Sequence, residues 1–480
     1  SFCLDFANSA DLGNDISSNN NDFTATSMTA VNQTGSSPSS AFCTWNPLRV
    51  NTQTQTFAEG NLRFSSTQTS TNPAATGNYG VSSGKFYWEV FVVAQGNTSN
   101  ILGICDTAAG LEDDTTALYA SALMYGYEFA GTKRNNNSSA SYGDSITTGD
   151  IVGVALDMDN GGVYFSKNGT FQASGDPTSG ASLTNAAFTG LNSAGSGVFQ
   201  PYYLAYSSGD GVANFGQSPT FNGQTTAGGN TDANGRGNFK HSVPSGYTAL
   251  TSANITEPSY QGIDYFAPTL YEGNGTGQRV GDFVPFTDAF NVANSAMFQH
   301  DEARALSRTA GAPSSSGGKK GTWSTWYKTA IIDTDNIFFD NGTTATNRFS
   351  LQMDASGQIV FSYAGTTILM TNADLKGGGL WRNLVLKVDT SLATASARAI
   401  MYIDGVEVTS FATDARASLT QDGELGYMDS GATQFVGSYN GVTANQWDGY
   451  LAETIFLDNQ FLSADSFGQL DTSTNKWVPK

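Results

Sequence analysis

The chain has 480 residues, too many for one ordinary core and enough for two or three domains. Its few charged residues (13%) and plentiful aromatics (12%) describe short strands joined by polar turns, and they argue against disorder from lack of apolar residues. A net charge of −20 repels phosphate backbones and argues against nucleic-acid binding, while the acidic, Asn/Thr/Ser-rich composition suits a protein in salty water.

The chain opens with Phe2-Cys3-Leu4-Asp5-Phe6, a short strand followed by an Asn-rich turn region ending at Phe23. This is read as an edge strand plus surface loop in preference to a metal loop. Ala41 to Asn46 is a strand stopped by Pro47. Thr56 to Phe64 follows, and then Gly84 to Val93, the strongest strand signal. There Phe86, Trp88, Val90 and Val92 share one face, and Tyr87, Glu89 and Phe91 the other. Ile101 to Cys105 and Tyr125 to Phe129 are further strands, the latter followed by the basic loop Lys133 to Asn137. Gly149 to Thr170 reads as a hairpin: Ile151 to Leu156, a turn at Asp159-Asn160-Gly161-Gly162, and a return along Val163 to Phe165. Pro201 to Tyr206 and Gly211 to Gln217 complete this set. No window in this half has a helical period.

Gly84 to Val90, Leu102-Gly103-Ile104, Gly149 to Gly169 and Val212 to Gly216 resemble, in order and spacing, the successive strands of a SPRY domain across roughly Pro47 to Gln217. That resemblance implies a two-sheet, concanavalin-like recognition sandwich with no catalytic residues to carry over.

Residues 218 to 270 form a connector, Gly-rich and polar from Thr225 to Asn238, whose tail is expected to pack back on the first sandwich. Asp288 to Arg308 is open between a short helix and an extended excursion. Strand alternation returns at Gly321 to Lys328, Phe349 to Asp354, Gln358 to Tyr363, Trp381 to Asp389, the Asp404-Gly405 hairpin, Gln434 to Gly437 and Gly449 to Leu457. Ser463 is a candidate N-cap of a short helix. Trp323 to Lys328, Trp381 to Asp389, Tyr402 to Gly405 and Asp448 to Asp458 resemble a laminin-G-like domain covering about Tyr271 to Asp471.

The fold expected is therefore all-β: two concanavalin-like antiparallel β-sandwiches of jelly-roll type in tandem. The first covers residues 1–262 with the N-terminal strand and the connector, and the second 263–480. The pairing, with Phe2 to Phe6, Asn19 to Phe23, Asn46 to Leu48, Glu59 to Leu62 and Trp477 to Lys480, is similar to modules of large virion proteins in marine tailed phages. The start at Ser1, without Met or a signal-peptide pattern, is read as a processed product or a piece of a longer polypeptide.

Signs of catalysis are scarce. The histidines are His241 and His300, too few for a triad or a zinc site to be picked out. The cysteines are Cys3, Cys43 and Cys105; a Cys3–Cys43 bridge is weighed against the preferred reading of buried small hydrophobes. Asp157-x-Asp159-x-Gly161 begins like a calcium loop, but Asn168 stands where the bidentate acid belongs, so it reads as hairpin. Glu112-Asp113-Asp114 are rim acids. Asp333, Asp335 and Asp340 are metal candidates because laminin-G-like domains often carry calcium on a loop edge; the solvated-loop reading stands beside them. No cofactor is required, and Ca2+ is the ion considered.

Aromatic faces with directed polar groups suit carbohydrate. The ligand-binding candidates are Tyr125, Tyr127, Lys133, Arg134 and Asn135 in the first sandwich, and Arg348, Asn440 and Gln446 in the second, where Asn347 adjoins. Strand packing is the competing reading for each tyrosine. The expected role is a non-enzymatic phage virion protein — fibre, spike or head decoration — at the virion surface, binding host surface glycans or other virion proteins. Neither nucleic acid nor membrane insertion is expected, since no apolar run approaches the roughly 20 residues a span needs. A homo-oligomer is expected, with a trimer as the working state. The alternatives are a secreted bacterial adhesin or lectin, and a glycan depolymerase working through paired carboxylates.

Overall fold

The computed structural model describes residues 1–49, 54–68, 72–109, 120–206, 208–255, 291–299, 302–311, 318–330, 335–341, 348–376, 379–426, 432–439, 445–471 and 476–480. Among these residues the chain is all-β, with short 3₁₀ turns and no longer helix, and its strands form two sandwiches, antiparallel apart from Thr248–Ala249, which pairs parallel with Lys85–Ala94.

Alternation builds the first sandwich. Strand Lys85–Ala94 turns Phe86, Trp88, Val90 and Val92 into the core. Tyr87 points to the opposite face, where it packs with Phe42, Ala155, Tyr164, Phe239, Tyr247 and Ala249. The strand lies between Ile151–Asp157 and Gly209–Asn214. One sheet runs in the order Thr170–Phe171, Gly162–Lys167, Ile151–Asp157, Lys85–Ala94, Gly209–Asn214, Arg63–Ser66, Thr56–Ala58. The facing sheet runs Ser138–Ser141, Thr132–Asn135, Met124–Glu128, Ile101–Asp106, Phe199–Leu204, Ala74–Thr76. The hairpin 151–167 turns where Gly161 takes φ +76°, and the Asp157 carboxylate accepts from the Asn160 backbone (2.9 Å) and side chain (2.8 Å). The connector folds back over the outer face of the larger sheet, bringing Phe239, Tyr247 and Ala249 with it.

The second sandwich departs from the expected division of the chain. Phe2–Leu4, placed by sequence with residues 1–262, pairs with Gly449–Asp458. Thr24–Thr26 pairs with Ala305–Thr309, and Gln33–Thr34 with Ser295–Phe298. Phe2, Leu4, Phe6, Leu12, Phe23 and Met28 lie in one core with Trp323, Phe339, Leu384 and Phe456. The first sandwich is thus inserted between two parts of the second. A three-residue strand carries an alternation but no record of its partner, so sequence order assigned it to the wrong neighbour. The expected boundary at 262/263 lies outside the described residues.

The undecided stretch is extended, as Ser295–Phe298 and Ala305–Thr309. The candidate helix after Ser463 is one 3₁₀ turn, Ala464–Ser466, at which the Ser463 side chain bonds Asp465 rather than the backbone. The C-terminal hairpin of Gly468–Asp471 and Lys476–Pro479 brings Trp477 against the outer face of the second sandwich, where its indole N–H donates to Asn383 Oδ1 at 3.1 Å.

Candidate functional site

The register of Met124–Glu128 against Thr132–Asn135 sorts the candidates of the first sandwich. Lys133 is opposite Tyr127, and Arg134 is opposite Gly126. Residues opposite each other share a face, so Tyr125, Tyr127, Lys133 and Asn135 lie on one side and Glu128 and Arg134 on the other. Tyr127 is buried in the core, where its hydroxyl donates to the Asp144 carbonyl. Burial raises its phenol pKa, and the nearby Tyr142, Asp144 and Asp150 add to this. Arg134 pairs with Glu128 at 2.8 Å and reaches Asn137 at 3.1 Å. Asn135 donates to the carbonyls of Ala122 (3.1 Å) and Met124 (2.6 Å). These three side chains serve the sandwich itself.

Tyr125 and Lys133 converge instead on Phe188. Tyr125 meets the Phe188 ring edge-on with centroids 5.3 Å apart. Lys133 Nζ stands 5.4 Å from the Phe188 centroid and donates to the Ala187 carbonyl at 2.7 Å. All three are half-buried, leaving aromatic surface beside a cation at the rim. The supporting loop is tied down by buried Asp106, which accepts from the Ser196 N–H (2.7 Å), the Ser196 hydroxyl (2.6 Å) and the Ala108 N–H (2.7 Å). Burial, then the charge of Asp106, pushes the Tyr125 phenol above its ordinary pKa. Phe188 was not among the sequence candidates. It stands in a Ser/Gly/Asn-rich stretch without strand alternation, and the available signal was a lone aromatic in a polar loop.

In the second sandwich Arg348 stacks over Tyr439, its guanidinium carbon 3.5 Å from the ring centroid. Its Nε donates to Asp340 Oδ2 at 2.6 Å, and Nη2 lies 2.5 Å from the same oxygen. Asp340, a metal candidate from sequence, is fully buried and committed to this ion pair. Asp335 is half-buried next to Asn336, while Asp333, Asn347 and Asn440 lie outside the described residues. Gln446 is fully buried, and neither of its amide atoms has a hydrogen-bond partner among the described residues. Tyr125, Tyr127, Lys133, Arg134 and Asn135 thus belong to the first sandwich and Arg348 to the second, with no contact between them among the described residues.

Among the described residues no group of three or more His, Cys, Asp or Glu side chains could hold a metal ion. Asp157 is taken up by Lys85 (2.9 Å) and its own turn, and Asp159 accepts from the Gly84 N–H at 2.6 Å. Glu112, Asp113, Asp114 and His300 lie outside the described residues. The three thiols are free; Cys3 stands on the strand joined to the second sandwich, whereas Cys43 is in the first core. Burial pushes the thiols of Cys43 and Cys105 up to about 12.

A buried carboxylate holds the connector in place. Glu89 accepts from the N–H groups of Lys240 and His241, both at 2.8 Å, and from the Tyr87 hydroxyl at 3.0 Å. Desolvation raises its pKa to about 6 despite these bonds.

Residues 85–218 match the family model for the SPRY domain. SPRY domains are in general protein-interaction modules and not catalysts. An ATP-dependent RNA helicase of Xenopus laevis, DDX1, is 36% identical over 92 residues, 19% of this chain and 11% of that protein. The Drosophila melanogaster helicase Ddx1 is 31% identical over 86 residues, 18% of this chain and 11% of that protein. The chain thus spans about 11% of the length of these curated relatives. Among solved structures, the SPRY domain of human HERC1 aligns at 20% identity with a TM-score of 0.27, covering 35% of this chain and 96% of that one. Stonustoxin aligns at 19% identity with a TM-score of 0.28, covering 36% of this chain and 27% of that one.

Proposed function

We propose that this chain is a non-enzymatic recognition protein at the surface of a phage particle, presenting two β-sandwiches for attachment to host glycans or for contacts with other virion proteins. The observation that carries the recognition role is the Tyr125–Phe188–Lys133 rim, built on a module that matches the SPRY family. A half-exposed aromatic face suits the C–H surface of a sugar ring, and the neighbouring lysine supplies directed donors. The particle assignment rests on the pairing of the two modules and on the acidic composition.

The test has two arms. The purified chain, applied to host-surface polysaccharides, is expected to bind at least one, with Lys133→Ala or Tyr125→Ala weakening binding about tenfold or more, and thermal melting of each variant separates a lost contact from the destabilisation expected when the Tyr125 ring leaves Phe188 and Phe199. Mass spectrometry of purified particles is expected to find the chain among their proteins. Absence from particles would remove the virion reading, and binding that ignores both substitutions would move the site away from this rim.

A further inference from the structure

The two sandwiches meet along a polar seam. On the first sandwich, Glu59, Gly60 and Asn61 all take left-handed backbone conformations (φ 54°, 60° and 64°). The Glu59 N–H donates to Gln299 Oε1 of the second sandwich at 2.7 Å, and the Tyr450 hydroxyl donates to the Gly60 carbonyl at 2.8 Å. A Cβ on Gly60 would lie 2.4 Å from the Tyr450 hydroxyl, so the approach requires glycine. Arg304 Nη2 lies between Glu59 (3.1 Å) and Glu302 (2.5 Å).

Among the described residues, Lys328 stands in the same seam with no carboxylate paired to it. It projects from Lys320–Thr329, is 1% exposed, and donates from Nζ to the Phe42 carbonyl of the first sandwich at 3.0 Å. The Tyr450 ring centroid is 5.4 Å away. The titratable groups around it among the described residues are these. The segment 41–46 contributes the Cys43 thiol, which burial keeps protonated. Gly449–Asp458 contributes the Tyr450 phenol, also kept protonated by burial, with Asp448 and Glu59 acting on that phenol. Glu59 is engaged by Arg304, and the nearby Arg63 by Asp210 at 2.5 Å.

We propose that Lys328 makes this seam a pH-responsive joint, held more firmly when its side chain is an uncharged amine than when it is an ammonium. A neutral amine keeps the bond to Phe42 and the packing on Tyr450 while shedding the cost of a buried charge. Desolvation lowers the Lys328 pKa from 10.5 to about 8. A lysine exposed by opening the seam keeps its proton to higher pH. Between the two values the open state binds more protons than the closed one, so the seam strengthens as pH rises through that window.

The Glu59 amide reports on the seam because its partner, Gln299, lies across it. In the full chain its hydrogen-exchange protection, corrected for intrinsic rate, is expected to rise about tenfold from pH 7 to pH 9. In Lys328→Met the same amide should show no such rise. Parallel pH dependence in the two proteins would overturn the proposal. Should the variant fail to fold, selective ¹³C labelling of lysine in the unaltered chain decides: a Lys328 Cε titration near pH 8 supports the joint, and one at 10 or above overturns it.

Discussion

The first sandwich is cut from one continuous stretch of chain, whereas the second is assembled from two stretches far apart in sequence. Trp45, Trp88, Leu102, Val154 and Phe215 of the first core all fall within residues 41–255. The second core joins Phe2, Leu4 and Phe23 to Phe298, Trp323 and Phe456. Continuity in sequence is therefore not what defines a core. Phe2 touches Phe23 (centroids 4.8 Å apart) and Trp323 (5.9 Å), contacts that close only when both ends of the chain have arrived. The second sandwich carries the larger loop-closure cost.

Phe2→Ala is the strongest way to break this contrast. It should cost about 3–5 kcal/mol, the range for truncating a buried phenylalanine. Amide exchange should accelerate in Gly449–Asp458, the partner of that strand, and change little in Lys85–Ala94. Equal loss of protection in both strands would show that the two cores unfold as one.

The second test acts on the first sandwich. Glu89→Ala removes the acceptor of two backbone N–H groups and one hydroxyl and should cost about 3 kcal/mol. Local opening should appear first at residues 239–249, as faster proteolysis of the connector, with the core strands still protected. Glu89→Gln, which keeps an acceptor, should restore most of the protection.

The smallest effect concerns the N-terminal strand again. Glu453 lies in the strand that receives Phe2–Leu4, and burial, then the charge of Asp5, raises its pKa from 4.5 to about 7. The folded chain holds this proton more tightly than the unfolded one. Stability from this group is complete below pH 4.5 and is lost as pH rises through about 7. Glu453→Gln should therefore gain about 1–2 kcal/mol at pH 8 and little at pH 4, measured by urea denaturation at both values. A gain independent of pH would point away from titration of Glu453.

Much of the all-β architecture was legible. The alternation of Phe86, Trp88, Val90 and Val92 names the core face of Lys85–Ala94, and the opposite face, with Tyr87 and Glu89, is the one the connector covers. The Asp159-Asn160-Gly161 turn was equally readable, because its side-chain bonds and positive φ are local. The rim was legible in part. Tyr125 and Lys133 lie close together in sequence, but Phe188 joins them only through the pairing of Phe188–Thr189 with Gly162–Val163. The same sequence reasoning grouped Tyr127 with the rim, although it is a core residue.

The sequence by itself determined the period-2 faces, the turns and the acidic, histidine-poor composition of the chain, because each depends on residue types or on neighbours a few positions apart. Only the tertiary structure decided which sandwich owns Phe2–Leu4, what Glu89 holds, and that Lys328 lies buried between the two sandwiches. Those are matters of partner choice between segments up to hundreds of residues apart. Partner choice is set by the summed burial and hydrogen bonding of whole faces, which a short strand pattern does not encode.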